Sequence, residues 1–312
     1  MANTANTPEI QFNVPTVQDL IHAVNRKRVH CFCEKCDPEF HVKNLNCKTH
    51  RKILLKRGLP TKQQSVITPL GLNCYKAEYL IDRKIQYFSR DPAQFEFRQT
   101  RALHHWRNLA TVTAVQALSE TDKDMTDNVL GNQLTVDDML EIFNIFNDLL
   151  FFGAMRNVQF EWRPKLHERE QSYGRAELWD KDLKVQILID PKAHTNLQSP
   201  SSFRLSILLH EALKAFLLRS ICRSCKMTST NLDIGRRGHG RPWQLLATEI
   251  EKIVPKLLGF TVNLMRFETI RDDLAIAEVE LPSYCDLDRY SFESLEYETG
   301  INAITKEIVR RK

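Results

Sequence analysis

Two groups of residues in this 312-residue chain have the types and spacing to do chemistry. The first is His210-Glu211-Ala212-Leu213-Lys214, together with His239 between Gly238 and Gly240. Side chains four apart on a helix share one face. In the pattern His-Glu-x-x-His two imidazoles therefore hold one zinc, while the glutamate activates the metal-bound water. Here the first two letters are present and the fifth is Lys214. His239 is a candidate further ligand, since its flanking glycines let the backbone turn tightly toward the helix. A lysine ligand must first lose its proton, which at pH 7 costs an ordinary lysine about 4.6 kcal/mol, and a retained ammonium repels the metal. The expectation is a degenerate site with weak or no zinc and little peptidase activity. The alternative is a substitute ligand, for instance Cys222 or Cys225.

The second group is Cys33-x2-Cys36-x10-Cys47-x2-His50, with His30, Cys31 and His41 close by. Two such knuckles can close a tetrahedral Cys3His zinc site, because thiolates are soft ligands suited to that ion. Cys31 competes with Cys33 for a place in the set. The region is too short and polar to fold around a core of its own, so a metal would supply its folding energy. The competing reading is a helix and loop with reduced, unliganded thiols. Cys222-x2-Cys225 has no second pair nearby and reads as two free thiols, while Cys74 and Cys285 stand alone. His104-His105-Trp106 reads as helix surface and core.

The elements that must position these residues follow from periodicity and capping. Thr16, with Asp19 three residues on, opens a short helix carrying Leu20, Ile21 and Val24. Tyr75, Tyr79, Leu80 and Ile85 suggest a second helix; Phe97, Leu103, Trp106, Leu109 and Val112 suggest a third. Ser119 to Asp124 is a polar linker. Thr135 caps a helix with Met139, Ile142, Phe143, Phe146, Leu149 and Leu150 on one face, ending near Gly153. Strands are expected at Val158 to Trp162, Ser172 to Leu178 and Leu183 to Ile189, the last placing Val185, Ile187 and Ile189 on one face. An apolar helix from Phe203 to about Ile221 carries His210 and Glu211. The glycine-rich turn Gly235 to Gly240 leads to a final helix from Pro242. The fold class is α+β. The division expected is an unstructured 1–15, a Cys/His-rich basic module at 16–62, a helical region and linker at 63–125, an α+β domain at 134–262 and an acidic extension at 263–312.

With 42% apolar and 27% charged residues, the composition excludes collagen-like, fibrous and wholly disordered chains. Apolar runs fall far short of the roughly 18 residues that span a bilayer, and residues 1–11 lack the basic and apolar regions of a secretory signal. An intracellular protein, nuclear or cytoplasmic, not secreted and not bound to a membrane, is expected, with its eight cysteines as thiols or metal ligands. The net charge of +5 hides an asymmetry. Residues 41–62 hold seven cations and no acid, a footprint for DNA, chromatin or an acidic protein surface. Asp272 to Glu298 holds nine acids and one arginine, a possible protein-partner segment or a solubilising extension.

The stretch from about Val136 to Phe260, some 40% of the chain, resembles an SprT-like domain, the zincin module of the DNA–protein-crosslink proteases. The residues that carry the likeness are Asn147-Asp148-Leu149-Leu150-Phe151-Phe152-Gly153 ahead of Val158-Gln159-Phe160-Glu161-Trp162, then Leu209-His210-Glu211 with Ala215-Phe216. Gly238-His239-Gly240-Arg241-Pro242-Trp243 and Ile250-Glu251 follow in the same order. The resemblance implies a zincin-like fold of helix, three-stranded sheet, active-site helix and C-terminal helix. It implies His210 and His239 as zinc ligands and Glu211 as the general base, with Lys214 where the second helix histidine belongs. Three functions follow as expectations. The first is an SprT-like protein with an impaired zinc site that binds chromatin, DNA or protein. The second is an active metalloprotease cleaving DNA-associated proteins, and the third a zinc-knuckle nucleic-acid-binding protein.

Overall fold

Two threonines set two of the described helices by the same device. Thr16 accepts a hydrogen bond from the Asp19 N–H, and the Asp19 carboxylate accepts one from the Thr16 N–H, which closes a capping box on α1 (Val17–Lys27). Thr135 and Asp138 repeat the arrangement on α4 (Val136–Leu150). These elements belong to a computed structural model that describes residues 12–31, 33, 35–37, 77–111, 134–179, 184–192, 200–221, 237–275 and 281–292. Between them lie α2 (Ala77–Phe88) and α3 (Phe97–Thr111). After α4 come β1 (Val158–Trp162), the short α5 (Leu166–Glu170), β2 (Gly174–Trp179), β3 (Lys184–Ile189), α6 (Pro200–Ser220), α7 (Arg241–Leu258), α8 (Arg266–Leu274) and α9 (Tyr284–Tyr290). The fold is α+β, as the alternating periods imply.

The sheet is mixed, in the order β1-β3-β2, with β3 parallel to β1 and antiparallel to β2. The central strand buries Val185, Ile187 and Ile189 completely. The second strand begins at Gly174 rather than Ser172, because the Ser172 hydroxyl turns to donate to the Gly174 carbonyl. Helix α6 packs on β2 and β3 and also touches α4 and α7. It is apolar on nearly every side, and Leu208, Leu209, Ala212, Leu213, Ala215 and Phe216 have no exposed surface. A helix apolar all round is a buried one. It starts at Pro200, whose missing N–H costs nothing in a first turn. No described helix is long and apolar enough to cross a membrane.

One core takes in more than the 134–262 span. Trp106 of α3 donates its indole N–H to the Leu258 carbonyl at 2.9 Å and stacks among Phe146 and Phe260. His104 and His105 beside it are exposed. The chain is anchored from Phe12 onward: the Phe12 N–H reaches the Leu274 carbonyl and Val14 is buried, so the N-terminal stretch gains order earlier than residue 16. Residues 264–292 also join this core through Leu264, Phe267, Ile270, Leu274, Leu281, Leu287, Tyr290 and Phe292. The acids of that segment mask an apolar face on two short helices. Arg266 is buried and holds three elements together: Nε meets Glu251 at 2.6 Å, while a terminal nitrogen reaches Thr248 and the Tyr290 carbonyl.

Lys84 of α2 is wholly buried. Its ammonium donates to the Leu150 carbonyl at the C-terminal end of α4 and faces the rings of Phe152, Phe216, Phe151 and Tyr87 at 4.0, 4.4, 4.9 and 5.5 Å. Burial pushes this amine well below the ordinary lysine range. The helix end and the aromatic faces act the other way, each favouring a cation.

Candidate functional site

His210 and Glu211 occupy consecutive positions in the middle of α6, both more than nine-tenths buried. They reach the sheet closely because β2 begins with a glycine. A Cβ on Gly174 would lie 2.5 Å from Ile207 Cγ2 and 3.0 Å from Glu211 Cγ, so a larger residue would push helix and strand apart. The second imidazole comes from the turn before α7, where Gly238 has φ +89°. His239 then stands with its Nε2 2.8 Å from His210 Nε2. Trp243, one turn into α7, walls both rings at centroid distances of 4.7 and 4.9 Å.

The hydrogen bonds fix the tautomers. His210 Nδ1 lies 2.9 Å from the Leu264 carbonyl, which can only accept, so Nδ1 carries the proton and Nε2 presents a lone pair. His239 Nε2 therefore donates to it. The His239 Nδ1 is left buried without a hydrogen-bond partner among the described residues. Burial pushes the His210 pKa down, against the opposing pull of Glu211, and Lys214 pushes it down further. His239 is depressed well below the usual range by burial first, then by His210, Lys214 and Arg237.

Lys214 sits one turn beyond His210. Its ammonium is 3.8 Å from Glu211 Oε2, too long for a charge-assisted hydrogen bond, and that oxygen is buried without a hydrogen-bond partner among the described residues. The aliphatic stem runs beneath the glycine turn: a Cβ on Gly238 would lie 3.2 Å from both Lys214 Cγ and Cε. Lysine thus fills the space beside the turn that carries His239. A catalytic zinc takes three protein ligands and leaves the fourth position for water or substrate. The described residues offer two imidazole nitrogens here, and the motif's remaining position holds a cation. The described residues do not fit a catalytic zinc. The charge that disfavours protonating both histidines disfavours a divalent ion for the same reason.

No family model, curated protein or solved structure matches the chain.

The cysteines form a second centre. Cys33 and Cys36 bracket a tight turn in which the N–H groups of Cys36 and Asp37 both donate to the Cys33 carbonyl, at 3.1 and 2.9 Å. The sulfurs of Cys31, Cys33, Cys36 and Cys285 all lie within 4.8 Å of one another, an arrangement able to hold a metal ion. The Cys36 and Cys285 sulfurs are 3.5 Å apart. Burial raises the Cys33 thiol, but the backbone N–H groups of Cys36 and Lys35 and the neighbouring thiols of Cys31 and Cys36 bring it down to about 7. Cys285 is pushed up to about 12, first by its hydrogen bond with Cys36 and then by burial.

Cys33 and Cys36 thus come together as the knuckle spacing implies, and Cys31 joins them rather than displacing one of them. Cys285 is the residue that sequence reasoning missed. It lies 249 positions from Cys36, in the first turn of α9, and no local spacing links the two. Cys47, His50, Cys222, Cys225 and the cation run 41–62 lie outside the described residues.

Proposed function

We propose that this chain is an SprT-like protein whose metallopeptidase centre is silenced by Lys214, and that it acts by binding rather than by cutting. The observation that carries this reading is the placement of Lys214. Two imidazoles converge from α6 and the α7 turn beside a buried glutamate, as a zincin centre requires, while an ammonium lies against that glutamate where a third ligand is needed. The succession of α4, a three-stranded sheet, the buried α6 and then α7 is in keeping with the same family, with α5 inserted between β1 and β2 and with α8 and α9 following. The partners in keeping with the seven-cation run 41–62 are anionic: DNA, chromatin or an acidic protein surface in the nucleus.

A peptidase assay tests the silent centre. With zinc supplied, and with DNA present or absent, the full chain and a Glu211→Gln variant should leave an unstructured protein substrate equally intact. Cleavage by the wild type that is lost in Glu211→Gln overturns the reading. DNA binding by the full chain should weaken steeply as salt rises, and no affinity at low salt removes DNA as the partner.

A further inference from the structure

We propose that Cys31, Cys33, Cys36 and Cys285 hold a single structural Zn²⁺ that fastens the N-terminal knuckle to helix α9 and, through Asp286, steadies the turn carrying His239. The spacing suits one ion. Zinc about 2.3 Å from each of four tetrahedral sulfurs places those sulfurs about 3.8 Å apart. The quartet lies within 4.8 Å throughout, with one pair at 3.5 Å. An iron–sulfur cluster sets its cysteines around a core of several atoms, and so farther apart than a single ion does. Four thiolates also close the coordination sphere, which marks a structural rather than a catalytic site.

The turn around Cys33 is built for a metal thiolate. The Cys36 and Asp37 N–H groups close that turn on the Cys33 carbonyl, at 3.1 and 2.9 Å, with the Cys33 and Cys36 sulfurs within 4.8 Å of each other. Four sulfurs crowded together would repel one another as thiolates unless a cation sat among them. A divalent ion removes that conflict and deprotonates the remaining thiols.

The site has mechanical consequences because its ligands come from opposite ends of the chain. Cys36 and Cys285 are 249 positions apart, and α1 packs directly on α9. A bond between them restrains a very long loop. Residue 286 carries the effect onward. Asp286 takes a hydrogen bond from the Ser283 hydroxyl at 2.7 Å and from Arg241 Nε at 2.6 Å. Arg241 is the first residue of α7, two beyond His239. The ion that fixes Cys285 therefore fixes the neighbouring carboxylate that holds the start of α7. This inference is independent of the silent-centre reading, which concerns only His210, Glu211, Lys214 and His239.

The test uses the full chain. Purified wild type should carry one zinc per chain, and X-ray absorption should show four sulfur ligands and no nitrogen. Cys285→Ser and Cys31→Ser should each lose that equivalent of zinc, while His210→Ala keeps it. Removing the metal from wild type with a chelator should speed amide exchange about tenfold in residues 284–292 and 237–243 together. Asp286→Asn should keep the zinc yet loosen residues 237–243 alone. Nitrogen in the ligand shell, bound iron, a Cys36–Cys285 disulfide, or zinc retained in Cys285→Ser and lost in variants of Cys47 or His50 would each overturn the proposal. The absorption measurement on wild type decides even if a variant fails to fold. Unchanged exchange at 237–243 after metal removal would refute the link to the His239 turn.

Discussion

Replacing Lys214 isolates the two ways in which it works against a metal at His210 and His239. Its ammonium and the His210 Nε2 lie 3.8 Å from opposite oxygens of the Glu211 carboxylate, so the two nitrogens are at most about 10 Å apart. A divalent ion about 2 Å from that Nε2 is then within about 12 Å of the ammonium. At an effective dielectric of about 20, charges of +1 and +2 at that separation repel by roughly 3 kcal/mol, a hundredfold in affinity. Lys214→Met removes the charge without adding a ligand, so zinc should bind this site about a hundredfold more tightly than in wild type. The same change leaves the buried Glu211 carboxylate without the cation 3.8 Å away and should cost about 3–5 kcal/mol of stability. Lys214→His removes the charge and restores the third imidazole on the helix face, and should hold a second tight zinc beside that of the cysteine quartet. Zinc titration against a competing chelator, with His210→Ala as the control, measures both. Unchanged affinity in Lys214→Met would refute the electrostatic argument, and a single zinc in Lys214→His would refute the placement of residue 214 as the third-ligand position.

Other parts of the molecule give further tests. An unfolded lysine keeps its proton to about pH 10.4, whereas buried Lys84 loses it at lower pH, so stability should rise with pH between those two values. Lys84→Met should flatten that rise in urea unfolding between pH 7 and 9.5, and an unaltered slope would count against a depressed amine. Burial pushes the Asp273 carboxyl up to about 6, against the pull of Arg237 and Lys214, so the folded chain binds more protons than the unfolded one between about pH 4 and 6. Stability should therefore fall by up to about 3 kcal/mol as pH rises through that window, and Asp273→Asn should abolish the fall. Gly174→Ala should cost about 1–3 kcal/mol by overpacking β2 against Ile207 and Glu211, and thermal unfolding equal to wild type would show that α6 can shift freely. Gly238→Ala should cost about 1–2 kcal/mol, because φ is +89° and the new methyl presses on Lys214; denaturant midpoints read it directly.

What could be read in advance divides by sequence distance. The capping boxes at Thr16 and Thr135, the alternation of Val185, Ile187 and Ile189, and the largely apolar surface of α6 are local patterns, and each produces the element its period demands. Lys214 was legible for the same reason, since four residues on a helix fix a face. Features that depend on folding back were not legible. The acids between Asp272 and Glu298 drown an apolar set that only becomes a face once α8 and α9 lie on the core, and Lys84 looks like any surface lysine until Phe151, Phe152 and Phe216 close round it. Cys285 is the sharpest case, because a metal quartet needs three neighbours and its neighbours lie at the other end of the chain. This distinction is physical as well as practical. Contacts between distant residues are made late and carry a large closure entropy, so a chain that uses them benefits from a bond able to hold them once formed. The cysteine quartet sits where that benefit is greatest: Cys285 is one residue from the carboxylate that meets Arg241, and Arg241 is two residues from His239. The geometry around His210 and His239 can therefore be set by the sulfurs whether or not those histidines hold a metal.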